Sequence, residues 1–333
     1  MKRVTRKQKR EKRKEINFFE EFIRIKNHFF KEINSRLKGV KDKRHQSYIK
    51  YTPDIILFTI LMKNVTAINS MNQMTTEFNT EECIDNVAKA LGYDELEEIP
   101  HYDTINNFLK KLDSIEIEKI RKYMIKELFK KRCLEQYRLL DKYWTIAVDA
   151  TGLVSFDEQH CDHCLKREYV NKETGEIEKT IYFHYILEAK LVVGDMVFSI
   201  DTEFIENEET YEKQDCELKA FKRLAKRLKK NYKRLPICIL GDSLYAVDPI
   251  FKLCKKNNWK YIFTFKEGRT KNIWLEFEAL KTLEDNSNGK GCTWVNEMEY
   301  KGNSVNVLEA KLIEDNEEKE FAFITNIPIK EKN

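Results

Sequence analysis

Residues 238–254, CILGDSLYAVDPIFKLC, decide how the chain is read. Cys238, Ile239 and Leu240 form a short apolar run, and Gly241 and Asp242 stand where a buried strand should end. The segment from Asp248 onward then has helical spacing. A strand that gives way at once to a helix is the unit from which sheets with helical crossovers are built. A carboxylate at the tip of such a strand is costly to desolvate unless something offsets its charge, and a bound metal ion does so. The competing reading is a solvated loop acid that serves as a turn residue or helix cap.

The flanking sequence extends the pattern. YWTIAVDATGL, from Tyr143, reads as a strand that contains Asp149. HYILEAKLVV (184–193) alternates, with Tyr185, Leu187, Ala189 and Leu191 on one face, and MVFSIDTEFI (196–205) is a third strand. KQDCELKAFKRLAKRLKK (213–230) is an amphipathic helix whose buried stripe is Leu218, Phe221, Leu224, Ala225 and Leu228. The strand LPICILGDS, the helix DPIFKLCKKNN and the strand WKYIFTFKEG follow. The order β-β-β-α-β-α-β describes a mixed sheet in which the first and fourth strands can be neighbours. That would bring Asp149 and Asp242 together. Two adjacent like charges repel until a divalent cation lies between them, and hard oxygen ligands of this kind suit Mg²⁺ or Mn²⁺.

Residues 16–140 carry helix signals instead. Thr52 and Pro53 read as an N-cap and first-turn proline ahead of IILFTILM (55–62). Thr80 caps EECIDNVAKAL, which Gly92 ends; Asp103 caps TINNFLKKL; Ser114 opens a long helix toward Arg138. The fold class expected is therefore α+β, an all-α region followed by a mixed sheet with flanking helices. With 333 residues, 41% of them apolar, the chain is long enough for about two domains. The net charge of +4 says little about partners, but nine of the first fourteen residues are Lys or Arg. This basic tail (1–15) reads as disordered or a solvated helix, suited to DNA phosphates in a salt-dependent way. It has no apolar core and so is no secretory signal; IILFTILM is too short to span a bilayer. Eight scattered cysteines suit a reducing cytoplasm. A soluble, cytoplasmic protein with no membrane partner is expected.

AVDATG, the helix KQDCELKAFKRLAKRL, and LPICILGDSLYA followed by YIFTFKEG resemble the catalytic domain of DDE-type insertion-sequence transposases, across residues 140–333. PHYDTINNFLKKL (100–112) is similar to the helical DNA-binding region of such proteins. The resemblance implies an RNase H-like fold over 141–333, two-metal cleavage and strand transfer of DNA, and transposon ends and target DNA as partners of a homo-oligomer. It assigns Asp149 and Asp242 as the first two acids of a metal-binding triad. The third, a glutamate, should lie on a helix beyond a β-rich insertion, which corresponds to about residues 285–327 with SVNVLEAKLI and EFAFITNIPI. No helix is read after that insertion, so the third acid is expected to be missing and the domain incomplete. A DNA-binding remnant that cannot cut is then the alternative. A metal-dependent nuclease using Asp215 or Glu217 is another, although acids at a helix start also answer its dipole. Glu188 is read as pairing with a basic neighbour.

A second constellation is 160-HCDHC-164. Cys161 and Cys164 have the C-x-x-C spacing that lets two thiolates meet one Zn²⁺, which is half a site. Completion would draw on two of His160, His163, His184 and Cys216, with His184 and Cys216 carried forward as the ligands. The resemblance adds that similar HCxHC segments recur in the family. The bland alternative is a solvated loop with two incidental thiols.

Overall fold

The computed structural model describes residues 17–208, 213–268, 270–283, 288–289, 291–314 and 317–330; the basic tail lies outside them. The chain divides into two units, residues 1–133 and 134–333.

The first unit is helical, as its caps require. Its helices are α1 (Phe18–Phe29), α2 (Ile33–Lys38), α3 (Pro53–Val65), α4 (Met71–Phe78), α5 (Glu81–Leu91), α6 (Tyr102–Leu109) and α7 (Ser114–Lys130). Thr80 accepts from the Cys83 amide, and Gly92 ends α5 in the left-handed conformation at φ 84°. One cap sits elsewhere than expected, His101 rather than Asp103 capping α6, while Ser114 opens α7 as read, with Asp113 as its cap. Helix α7 stops at Lys130, short of Arg138, and the chain takes a positive φ at Arg132. The apolar run in α3 is buried on nearly every side, as a central core helix should be, with Ile56 and Phe58 wholly enclosed.

The second unit is built on one ten-stranded sheet. Its elements are β1 (Trp144–Phe156), β2 (Leu165–Val170), β3 (Ile177–Val193), β4 (Met196–Ile205), α8 (Glu217–Asn231), β5 (Ile237–Gly241), α9 (Asp248–Asn257), β6 (Lys260–Phe265), α10 (Lys271–Leu280), β7 (Asn288–Gly289), β8 (Cys292–Tyr300), β9 (Asn303–Glu314) and β10 (Glu317–Thr325). The strand order is β2-β3-β1-β5-β6-β10-β9-β8-β7, with β4 also paired to β3. Strand β1 runs antiparallel to β3 and parallel to β5, and β5 runs parallel to β6. The sheet is mixed and the whole chain is α+β. The first and fourth strands anticipated from the sequence are β1 and β5, and they are neighbours.

Three features differ from the sequence reading. Strand β2 was not anticipated, because five of its six residues are exposed and no alternation marks it. Helix α10 was also passed over; Ile273 and Phe277 hold its buried side. The expected β-rich insertion is an extension of the central sheet, since β10 pairs antiparallel with β6 from Ala322↔Phe265 to Thr325↔Ile262.

Helix α8 packs on β3 and β4 through Ala220, Phe221, Leu224, Ala225 and Leu228, all buried, while Leu218 is half-buried. Its flank carries two arginines into a set of buried acids. Arg223 reaches Asp215 and Glu203, each at 2.6 Å. Arg227 reaches Asp201 at 2.9 Å and also pairs with Glu203. Buried carboxylates left without their cation are strongly destabilising. Arg227→Met should therefore lower unfolding stability by about 2 kcal/mol in urea titrations, less than the full cost of an enclosed pair because the arginine is partly solvated.

Candidate metal centres

The β1–β5 ladder ends at Ala147↔Leu240. Two residues beyond it, β1 carries Asp149 and the turn that follows β5 carries Asp242, and both act electrostatically on Glu217 and Tyr245. Asp242 follows directly on β5 and caps the short turn Ser243–Tyr245, accepting from the Leu244 amide at 2.8 Å. Gly241 makes that turn possible. A Cβ there would meet Tyr245 Cδ2 at 2.8 Å, so the missing side chain lets the tyrosine ring fold back on the strand end. Tyr245 is fully buried, and its hydroxyl donates to Glu217 Oε1 at 2.5 Å.

These groups share one electrostatic environment. Asp149 and Asp242 are exposed, and among the described residues neither has a basic side chain within ion-pair distance. Burial raises the Glu217 pKa above the usual carboxylate value; the Tyr245 hydrogen bond opposes this, and repulsion from Asp242 and Asp149 adds to it. Burial, followed by Glu217, Asp242 and Asp149, pushes the Tyr245 phenol far above its ordinary value, so it keeps its proton as the donor. A row of acids with no cation is a site of unmet negative charge.

The other candidate acids part company here. Asp215 is bound by Arg223 and is structural. Among the described residues Glu188 has no ion pair of the kind expected: Thr202 Oγ1 donates to it, and it stands directly opposite Asp149 in the β1–β3 register. Only the pairing of strands reveals that adjacency, so no motif could have found it.

The cysteine centre is more tightly gathered. Cys161 Sγ and Cys164 Sγ lie 3.7 Å apart, and His184 Nε2 is 3.4 Å from the first and 3.3 Å from the second. Bond lengths of about 2.3 Å to sulfur and about 2.0 Å to nitrogen around a tetrahedral zinc give ligand separations of about 3.5–3.8 Å. The group can hold a metal such as zinc. Cys216 does not join it; that residue is exposed at the N-cap of α8. His160 stacks on Phe156 at 4.5 Å, and the His163 ring lies 2.9 Å from the Asn207 carbonyl. Among the described residues this is the group whose ligand atoms all fall within 4.8 Å of one another; Asp149, Glu217 and Asp242 are spread more widely.

No family model matches the chain, and no curated protein matches it.

The raised Glu217 pKa has a definite sign. The folded state binds the proton more tightly than the unfolded state, so this group's contribution is full below the unfolded value and is lost as pH rises. In chelator, Glu217→Gln should raise the thermal midpoint at pH 8 and leave it nearly unchanged at pH 4, where both side chains are neutral.

Proposed function

We propose that the second unit performs divalent-metal-dependent phosphodiester chemistry on DNA, cleaving and joining strands as a DDE-type transposase does. The observation that carries this reading is the pair of solvated aspartates, neither ion-paired among the described residues, where β1 passes the end of β5, beside a Glu217 whose pKa is raised by burial and further by both of them. The mixed sheet, with β1 and β5 adjacent, supports the RNase H-like assignment.

In this reading Asp149 and Asp242 hold Mg²⁺ or Mn²⁺, for which an all-carboxylate donor set is suited. The bound ions supply charge neutralisation at the phosphodiester and ease deprotonation of the attacking water or 3′-hydroxyl. Glu217 serves as the third carboxylate. Its position is held by the Tyr245 hydroxyl, which also lowers the cost of its charged form. A metal-dependent nuclease with the same acids is the second reading, favoured by the fact that Glu217 feels both aspartates. DNA is the partner in either case, met by the basic tail and the helical unit, with a homo-oligomer on DNA and a cytoplasmic, nucleoid-associated location. Among the described residues no helix is long and apolar enough to cross a membrane.

Asp149→Ala and Asp242→Ala should each weaken Mn²⁺ binding in titration calorimetry without loss of the fold, because removing one of two like charges relieves repulsion. Nicking of supercoiled plasmid in Mn²⁺ should be lost in both and in Glu217→Gln. Unchanged Mn²⁺ affinity in both aspartate variants would overturn the metal assignment, and nicking that survives Glu217→Gln would move the third carboxylate elsewhere.

The cysteine centre is assigned a structural Zn²⁺, one per chain, fastening the loop between β1 and β2 to β3. Metal analysis after expression in zinc-replete medium should find that zinc, and Cys161→Ser/Cys164→Ser should lack it. Zinc-free wild-type protein would return the loop to two incidental thiols.

A further inference from the structure

Beyond the acids, β1, β2 and β3 continue as a three-stranded arm with a cleft of about 370 Å³ on one face. The cleft is aromatic and cationic. Phe183 and Tyr185, two residues apart on β3, share this face with centroids 4.7 Å apart and planes at 55°. Gly152 pairs with Tyr185 across β1–β3, and a Cβ on it would meet the Tyr185 ring at 3.0 Å. The ring therefore sits close against bare backbone. From β2, the Arg167 guanidinium sits 5.3 Å from the Phe183 centroid, and Tyr169 stands beside it, 44% exposed.

Among the described residues Arg167 has no carboxylate partner, and its charged form is favoured by the Tyr169 and Tyr185 hydroxyls. A solvent-facing guanidinium without an acid, set among rings, is a phosphate donor group beside stacking surfaces. Bases in a duplex already have both faces covered, whereas an unpaired base can enter a concave site and stack. A wholly apolar ligand would leave the guanidinium unused, and an acidic peptide would leave the rings unused.

We propose that this cleft binds an unpaired base of single-stranded nucleic acid, with Tyr185 and Tyr169 as the stacking surfaces and Arg167 on the adjoining phosphate. The proposal shares its class of partner with the reading above but does not depend on the acidic site. His184, between Phe183 and Tyr185, faces the reverse side of the arm, so the cysteine centre braces the strands without occupying the cleft.

The test uses the full chain in chelator, so that the acidic site contributes no metal. Fluorescence anisotropy is read with a labelled oligothymidylate of about fifteen nucleotides and with a duplex of equal length. Tyr169→Ala/Tyr185→Ala should weaken single-strand binding about tenfold or more and leave duplex binding unchanged. Tyr185→Trp should retain affinity and show fluorescence quenching by the oligonucleotide. Arg167→Gln should lower the slope of log affinity against log salt by about 0.7, the value for one phosphate on a single strand. Wild-type single-strand affinity in the double variant would overturn the proposal, as would an equal loss of duplex binding. A dimer-to-monomer shift in sedimentation on making that variant would overturn it too, giving the cleft to a second copy of the chain. Loss of Mn²⁺ binding in Asp149→Ala with single-strand binding intact would separate the two sites.

Discussion

Four residue pairs, Trp144↔Ile237 to Ala147↔Leu240, join β1 to β5 in parallel at the centre of the sheet. Everything proposed for the acidic site depends on that short ladder. Parallel neighbours cannot be joined by a tight hairpin, and here the connection runs through β2, β3, β4 and α8. Because the two strands point the same way, Asp149 within β1 and Asp242 just past β5 each fall two residues beyond the last pair of the ladder. A slip of one residue would turn a strand's side chains to the opposite face, and buried Ile146, Val148, Ile237 and Ile239 oppose such a slip. The core thus fixes the register that aligns the acids, although neither aspartate is buried.

Much of this was legible from residue order. The apolar runs around Ile146 and Ile239, the alternation of 184–193 and the stripe of α8 are strong periodic signals, and they suffice to make β1 and β5 neighbours. Cap chemistry was read well at Thr80 and Gly92, where the residue type and the backbone requirement agree. It failed at Asp103, because several polar residues in succession can each serve as a cap and position in the tertiary fold chooses among them. Strand β2 was hidden for a physical reason: an edge strand exposed on both sides has no burial pattern to write into its sequence. Helix α10 lacks a capping side chain to mark its start, since Thr270 makes no cap hydrogen bond.

The site was less legible than the fold. Asp149 and Asp242 follow from strand ends, and the C-x-x-C pair with His184 follows from spacing and ligand type. Glu217 does not, since a glutamate in a first helical turn is expected from the dipole alone. Its link to the aspartates runs through Tyr245, whose ring position depends on Gly241 lacking a side chain. Glu188 likewise becomes notable only once the β1–β3 register sets it opposite Asp149.

The segment that opens α8 shows how one stretch can serve several neighbours. The Gln214 side chain accepts from the Lys166 amide at 2.7 Å and donates to its carbonyl at 3.1 Å, acting as a strand partner for the outer edge of β2. Asp215 is fastened to Arg223, and Glu217 to Tyr245. Three residues of one tetrapeptide thus tie the arm, the ion-pair network and the strand-tip acids together, while exposed Cys216 takes no part. A helix dipole favours an acid anywhere in the first turn, but it does not require a buried phenol to hold that acid in line with two solvated aspartates. That requirement is specific to Glu217, and it separates this residue from Asp215, which sequence alone ranks as its equal.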